Sequence, residues 1–348
     1  MDIALHEVPE SRRYWVVRAD GGLYLEHFVQ DGIVTIGHLD ELDRRFPVSS
    51  STPEKEWVSL HESLIRSRER DGRPMRGLRS VVGQARAFVA DIKVGDWVVT
   101  PGEGLLKVGV VTSDAFEDPL EVVLTRRDGE TVTLSHRLRR RVRWGPTVYK
   151  SEFTSPLQRT LSANQTVFNV DSHWEAICHA LYPAFCRNDT LFLSTKISAA
   201  SHVNNADVAS YLLTLTDIEL IVRALDDGLS NSNFDEKLEQ YADAGSLTLT
   251  TKAEFFSPGD IWVQFTDLVS SAATGHSWMY YAVIAYGMIF GNKKLGFDGL
   301  VDLDTRHRIR DLMLERIARR RTESAANRLG ADVPKKDTSA LEQPNKKV

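Results

Sequence analysis

One stretch, VVGQARAFVADIKVGDWVVTP at residues 81–101, constrains the fold more than any other segment of the chain. Gln84, Ala85, Phe88 and Val89 recur at helical spacing and predict a short helix. Val94-Gly95-Asp96 then forms a tight turn, since glycine adopts positive φ without steric cost. The apolar run Trp97-Val98-Val99 reads as a strand rich in aromatic and β-branched residues. A helix turned directly into an apolar strand is one wall of a small, closed sheet.

The neighbouring segments supply more strands. YWVVR, residues 14–18, predicts a first strand, broken by Asp20-Gly21-Gly22. Residues 23–29 read as a short helix, and residues 33–36 as a strand ending at Gly37. Trp57, Leu60, Leu64 and Ile65 share one helical face, closed by Asp71-Gly72-Arg73-Pro74. Strands are expected at residues 106–112, 121–126, 130–134 and 136–144. Asp128-Gly129 between the second and third of these favours a two-residue hairpin turn. A short helix at 156–161 and an apolar segment at 165–170 complete the region. Many short strands with few helices predict a twisted antiparallel sheet closed into a small barrel, because closure removes exposed sheet edges.

The second half reads differently. Residues 171–205 look like a helical connector and linker, ending in SAASHVNN. Residues 207–225 predict a helix, and residues 247–256 with 261–265 a β-hairpin around Ser257-Pro258-Gly259-Asp260. WMYYAVIAYGMIF, residues 278–290, is about 13 residues long, whereas a membrane span needs about 20, so a buried helix is expected and no span. A final amphipathic helix covers 305–321, with cations at its C-terminus where they complement the helix dipole. The domain expectation is therefore a loose arm at 1–12, a first domain at 13–170, the connector at 171–205, a smaller α+β domain with the hairpin at 206–329, and a disordered tail at 330–348.

Composition narrows the function classes. The net charge is −5, and residues 1–160 hold 24 Lys+Arg against 24 Asp+Glu. A nucleic-acid contact must therefore come from a local patch. Two cysteines, Cys178 and Cys186, without a CxxC pair fit a reducing compartment. The opening MDIALHEVPESRRYW has no apolar core of a signal peptide, so a cytoplasmic protein is expected. No P-loop, GxGxxG or GxSxG is present, and neither a cofactor nor a metal is expected.

The combination of YWVVR, GQARAF leading into IKVGDWVV, VGVVTSD and the basic strand RRRVRW resembles the EVE domain of the PUA-like superfamily, which is related to YTH domains. It is most similar to the EVE-like domain at the N-terminus of Mrr-type, modification-dependent restriction proteins. Ile36-Gly37-His38 matches that version's "IGW", GDWVVTP its "GDxVVTP", and SPLQRTLSANQTVF its terminal "SLQxSLxxxxTVF". The resemblance covers residues 13–170. It implies an α+β chain with an N-terminal PUA/EVE-like small β-barrel, a pocket for a modified nucleobase or nucleotide, and a restriction or antiphage-defence setting. Two positions depart from the pattern: Arg18-Ala19-Asp20 replaces a Ser-Glu-Pro, and Ala87 replaces an Asn.

The residues of such a pocket can be named. Trp15, Trp97, Trp144 and Tyr149 are aromatic candidates for stacking on a base, worth about 1–3 kcal/mol per base. Gln84 can pair with an adenine-like edge. Trp15 and Gln84 match the family's pocket positions; the alternative is that Trp15 and Trp97 are barrel core and Gln84 caps a helix. Residues 137–143 carry five arginines in seven positions. In a strand Arg137, Arg139, Arg141 and Arg143 share a face, where a phosphate backbone would supply counter-charge. The alternative is a strand paired with the acidic turn at 114–121. Three readings follow: a DNA or nucleotide reader coupled to a protein partner or homo-oligomer through its C-terminal domain, a diverged Mg²⁺-dependent nuclease using Glu254, Asp298 and Asp302, or a structural subunit pairing through the 247–265 hairpin.

Overall fold

Strand β1 (Leu5–Glu7) begins the chain where the sequence predicts a loose arm. It pairs in parallel with residues 184–186, and Ile3 beside it is buried. The alternation of Ile3 and Leu5 is enough to add a short strand to an existing sheet edge. The computed structural model describes residues 3–42, 45–125, 129–199, 203–226, 234–254, 259–266, 277–291 and 301–342. Two units emerge, each assembled from separated stretches of chain: residues 11–177 with 336–348, and residues 1–10 with 178–335. Both combine helices with sheet, so the α+β class holds.

The first unit comprises β2 (Tyr14–Val17), α1 (Leu25–Asp31), β3 (Ile33–Ile36), α2 (Glu54–Arg70), α3 (Leu78–Arg86), β4 (Trp97–Pro101), β5 (Leu105–Val111), β6 (Phe116–Glu117), β7 (Val122–Thr125), β8 (Thr131–Leu134), β9 (Leu138–Tyr149), α4 (Ser155–Thr160) and β10 (Val167–Asn169). Its main sheet runs β10-β2-β4-β5-β9-β3, with β6 beside β9, and curls into a half-barrel. The sheet is mixed, where an antiparallel one was expected: β2 and β4 pair in parallel, Tyr14 opposite Trp97. A parallel pair needs a long crossover, and α1, β3, α2 and α3 all lie between these two strands. The β7–β8 hairpin forms a separate two-stranded ribbon. Trp15, Val17, Phe28, Ile36, Trp57, Leu60, Leu64, Phe88, Val98, Val111 and Leu138 fill the curl.

The opening stretch folds largely as its pattern predicts. α3 is followed by a π-type turn over Ala87–Asp91 and then the turn into β4. Arg140 of β9 reaches under that π-type turn. It is fully buried and donates to Phe88 O at 2.6 Å, Val89 O at 2.8 Å and Ser113 O at 2.9 Å.

The second unit corrects the expected connector. After α5 (Trp174–Leu181), residues 184–197 form a hairpin of β11 (Ala184–Arg187) and β12 (Thr190–Ile197). Asn188 and Asp189 have φ of 49° and 57°, the left-handed geometry of a two-residue hairpin turn. There follow α6 (Asn205–Asp226), α7 (Phe234–Asp243), β13 (Thr250–Glu254), β14 (Gly259–Phe265), α8 (Ser277–Ile289), α9 (Leu303–Arg320), α10 (Thr322–Leu329) and β15 (Ala331–Asp332). The sheet order is β1-β11-β12-β14-β13, and β15 also pairs β12. The predicted hairpin is thus β13–β14, although residues 255–258 at its tip lie outside the described residues. Helices α6, α8 and α9 bury Ile218, Ile221, Val283, Ile309 and Met313 with Leu193, Ile261 and Val263 of the sheet. Among the described residues no helix is long and apolar enough to cross a membrane.

The expected disordered tail is also corrected. Residues 331–332 pair with β12, and α11 (Ser339–Glu342) belongs to the first unit. There Arg143 Nε donates to Ala340 O at 2.5 Å, and Lys336 Nζ meets Glu152 Oε1 at 2.9 Å. Gly145 makes room for the contact: a Cβ there would lie 2.6 Å from Leu341 Cδ2. Residues 343–348 lie outside the described residues.

Candidate ligand-binding cleft

A cleft of about 770 Å³ opens in the first unit. Six stretches of chain build it. Arg18, Asp20 and Gly21 come from the end of β2, and Gly37, His38 and Glu41 from the end of β3. Arg68, Asp71 and Arg73 close α2, Val81 lies on α3, His136 precedes β9, and Asn164 and Thr166 precede β10. Strand ends converge here because β2, β3, β9 and β10 belong to one curled sheet.

The polar groups of the cleft are fixed in place. Gln84 Oε1 accepts hydrogen bonds from Thr166 N at 2.6 Å and Val167 N at 3.0 Å, and Nε2 donates to Ser80 Oγ at 3.0 Å. The Gln84 side chain also meets His38. His136 Nδ1 lies 3.0 Å from Thr35 Oγ1, and its ring sits edge-on to Tyr24 with centroids 5.1 Å apart. Gly37 is the residue that permits this: a Cβ there would lie 2.6 Å from His136 Nε2. Glu41 accepts from Arg68 Nε at 2.9 Å and Arg73 Nη1 at 3.0 Å.

One cleft cation, Arg18, lacks such a carboxylate match. Arg18 is half-buried, its Nη2 donates to Leu161 O, and no carboxylate meets its guanidinium among the described residues. Burial pulls its pKa below the ordinary arginine value, since a desolvated cation is disfavoured. Asp20 has a φ of 47°, unusual for a residue with a side chain, and Gly21 and Gly22 continue the left-handed run. Burial also holds His38 and His136 below the ordinary imidazole value, opposed at His38 by the Gln84 hydrogen bond and at His136 by Asp20. Both rings are therefore neutral at pH 7 and offer one donor and one acceptor each.

The residues singled out in the sequence distribute as follows. Trp97 is fully buried, edge-on to Tyr14, with Arg12 over its face. Trp15 is 8% exposed and its Nε1 donates to Asp96 Oδ2 at 3.0 Å, which ties β2 to the Gly95-Asp96 turn. Trp144 Nε1 donates to Phe28 O at 2.6 Å. None of the three, nor Tyr149, lines the cleft, and the lining contains no Phe, Tyr or Trp. Gln84 touches two lining residues but spends its amide on chain positions rather than facing the cleft with a free edge.

The arginine strand does not present a row of cations. Arg137 pairs with Glu117, and buried Arg139 pairs with Asp118 at 3.0 Å. Arg143 is taken by Ala340 O, and only Arg141 of the four is exposed, lying over Phe116. The acidic turn at 114–121 supplies the counter-charge that a phosphate was expected to supply. In the second unit Asp302 caps α9, accepting from Thr305 N at 2.8 Å, while Asp298 lies outside the described residues. Among the described residues no cluster of three His, Cys, Asp or Glu is placed to hold a metal ion.

Arg18, His38 and His136 were not singled out as site residues from the sequence. Arg18 and His38 are the last residues of the family-like segments YWVVR and Ile36-Gly37-His38, which is the available signal; His136 had none. No protein-family model, curated protein or solved structure matches this chain.

Proposed function

We propose that the first unit is an EVE/PUA-like reader whose cleft takes a modified nucleobase or a nucleotide, with the second unit passing occupancy to a protein partner or a second copy in a restriction or defence setting. One observation carries this reading. The cleft is lined where the family-like segments end: Arg18 after YWVV, Gly37-His38 after β3, Val81 beside Gln84 on α3, and Asn164 and Thr166 in SANQTVF. Its volume of about 770 Å³ falls in the range of small-molecule sites, roughly 300–1,000 Å³.

The lining favours edge recognition over stacking. Two neutral imidazoles, the Asn164 amide, the Thr166 hydroxyl and the Asp20 carboxylate offer donors and acceptors at several angles. A flipped base costs a few kcal/mol to extrude, and such edge contacts would have to offset that cost. The test is equilibrium titration of the full chain with duplexes carrying 5-methylcytosine, 5-hydroxymethylcytosine or N6-methyladenine, and with the matching deoxynucleosides and 5′-monophosphates. The expected result is saturable binding that Gly37→Val abolishes by filling the cleft. Binding of every probe no better than the unmodified duplex or buffer control refutes the reading.

A further inference from the structure

We propose that Arg18 makes this cleft selective for a phosphorylated ligand, a nucleoside monophosphate unit rather than the bare base or nucleoside. The inference rests on the nucleotide reading above and adds the chemical group that Arg18 engages.

The argument is one of charge and solvation. Three arginines line the cleft, Arg18, Arg68 and Arg73. Glu41 pairs with each of the last two directly, at 2.9 Å and 3.0 Å. Arg18 is left half-buried with only carbonyl contact, the Leu161 oxygen, and its Nε is buried without a hydrogen-bond partner. A partly desolvated guanidinium with no anion is unfavourable on its own, and truncation or pairing are the two ways of relieving it. An oxyanion arriving in the cleft supplies the pairing. Guanidinium suits phosphate because its planar fork gives two parallel N–H donors. Leu161 O already holds Nη2, so the group is oriented before the ligand arrives.

The chain geometry supports the same placement. The main chain of Arg18 donates to Thr166 O at 2.9 Å, so β2 and the 161–166 segment are locked together around this side chain. Asn164, exposed on that segment, lines the same cleft. The family pattern has no cation at the Arg18 position, so the selectivity is a property of this chain's own residues.

The experiment compares deoxynucleosides with their 5′-monophosphates by calorimetric titration of the full chain. Wild type, Arg18→Gln and Asn164→Asp are measured, with Arg66→Gln, an exposed arginine of α2 outside the cleft lining, as a charge control. The expected result is at least tenfold tighter binding of the monophosphate by wild type. Arg18→Gln removes that preference while nucleoside binding stays within about twofold. Asn164→Asp, an exposed change that adds a carboxylate to the cleft lining that Arg18 shares, weakens the monophosphate more than the nucleoside even if Arg18→Gln proves unstable. Arg66→Gln leaves the preference intact. Equal affinity of wild type for nucleoside and monophosphate overturns the role of Arg18 and leaves the nucleotide reading standing. A preference that survives both Arg18→Gln and Asn164→Asp also overturns it. Binding of neither class sinks both the reading and this extension.

Discussion

Replacing Arg140 by methionine tests how the first unit holds the segment on which its fold turns. The guanidinium is fully buried and donates to three carbonyls, two of them in the π-type turn after α3. Burial depresses its pKa from the ordinary arginine value to about 10, so keeping the charge there costs about 3 kcal/mol at roughly 1.4 kcal/mol per unit. Each charge-assisted hydrogen bond returns about 1.5–3 kcal/mol, so three return roughly 5–9 kcal/mol. The difference puts the loss on Arg140→Met at about 2–6 kcal/mol, because methionine relieves the buried charge but leaves three carbonyls without donors. Urea unfolding of the full chain followed by tryptophan fluorescence reads this as a lower midpoint for the first unit at constant slope. In thermal unfolding it corresponds to a drop of roughly 4–24 °C, at about 2–4 °C per kcal/mol for a unit of this size. Arg140→Lys keeps the charge but not the planar fork, and is expected to lose a comparable amount. A loss below about 1 kcal/mol for methionine, or wild-type stability for lysine, refutes the idea that this guanidinium clamps the turn.

Other outcomes follow from the same geometry. Gly37→Ala sets a Cβ 2.6 Å from His136 Nε2 and 3.0 Å from Asp40 Oδ2, so it is expected to cost about 1–3 kcal/mol and weaken ligand titrations. Unchanged stability and binding would mean that His136 moves freely. Trp15→Phe removes the indole hydrogen bond to Asp96 and is expected to cost about 1–2 kcal/mol in urea unfolding, with nucleotide binding unaltered since Trp15 does not line the cleft. For His38 and His136, whose folded pKa values lie below the unfolded 6.5, the stabilising contribution is complete above pH 6.5 and is lost as pH falls through the folded values. Asp40 and Asp96 are raised by burial and act with the opposite sign, so the comparison is made with the His38→Gln/His136→Gln pair. That double variant is expected to flatten the fall in urea midpoint between pH 7 and 5, and an unchanged slope counts against the two rings.

Local signals carried much of the fold. Period and turn chemistry located α2 through Trp57, Leu60 and Leu64, the β7–β8 and β13–β14 hairpins, and buried α8. The β11–β12 hairpin was missed although Asn188-Asp189 is a legitimate turn pair, because the apolar run 173–196 also satisfies a helix when read without that punctuation. Pairings distant in sequence were not legible. Nothing local says that Leu5 lies beside Ala184, or that Leu341 covers Gly145. The same limit applies to the cleft. Aromatic residues were expected to face a ligand, yet tryptophan is as useful in a core, and Trp15 and Trp97 were taken there by the curl of the sheet. Counter-charge decided the arginine strand, since Glu117 and Asp118 are close in space through β6 and consume Arg137 and Arg139.

The crossed termini have a consequence for how this protein can be made and divided. β1 precedes its partner by about 180 residues of chain, roughly 10–40 s of synthesis at ordinary elongation rates. The first unit waits as well, because residues 336–342, with Lys336 on Glu152 and Ala340 on Arg143, follow the rest of that unit by about 160 residues. A cut near residue 177 therefore yields no finished piece: residues 1–177 lack α11, and residues 178–348 lack β1. Proteolysis or truncation at either end of the chain would be felt in the unit that the far end of the sequence mostly encodes.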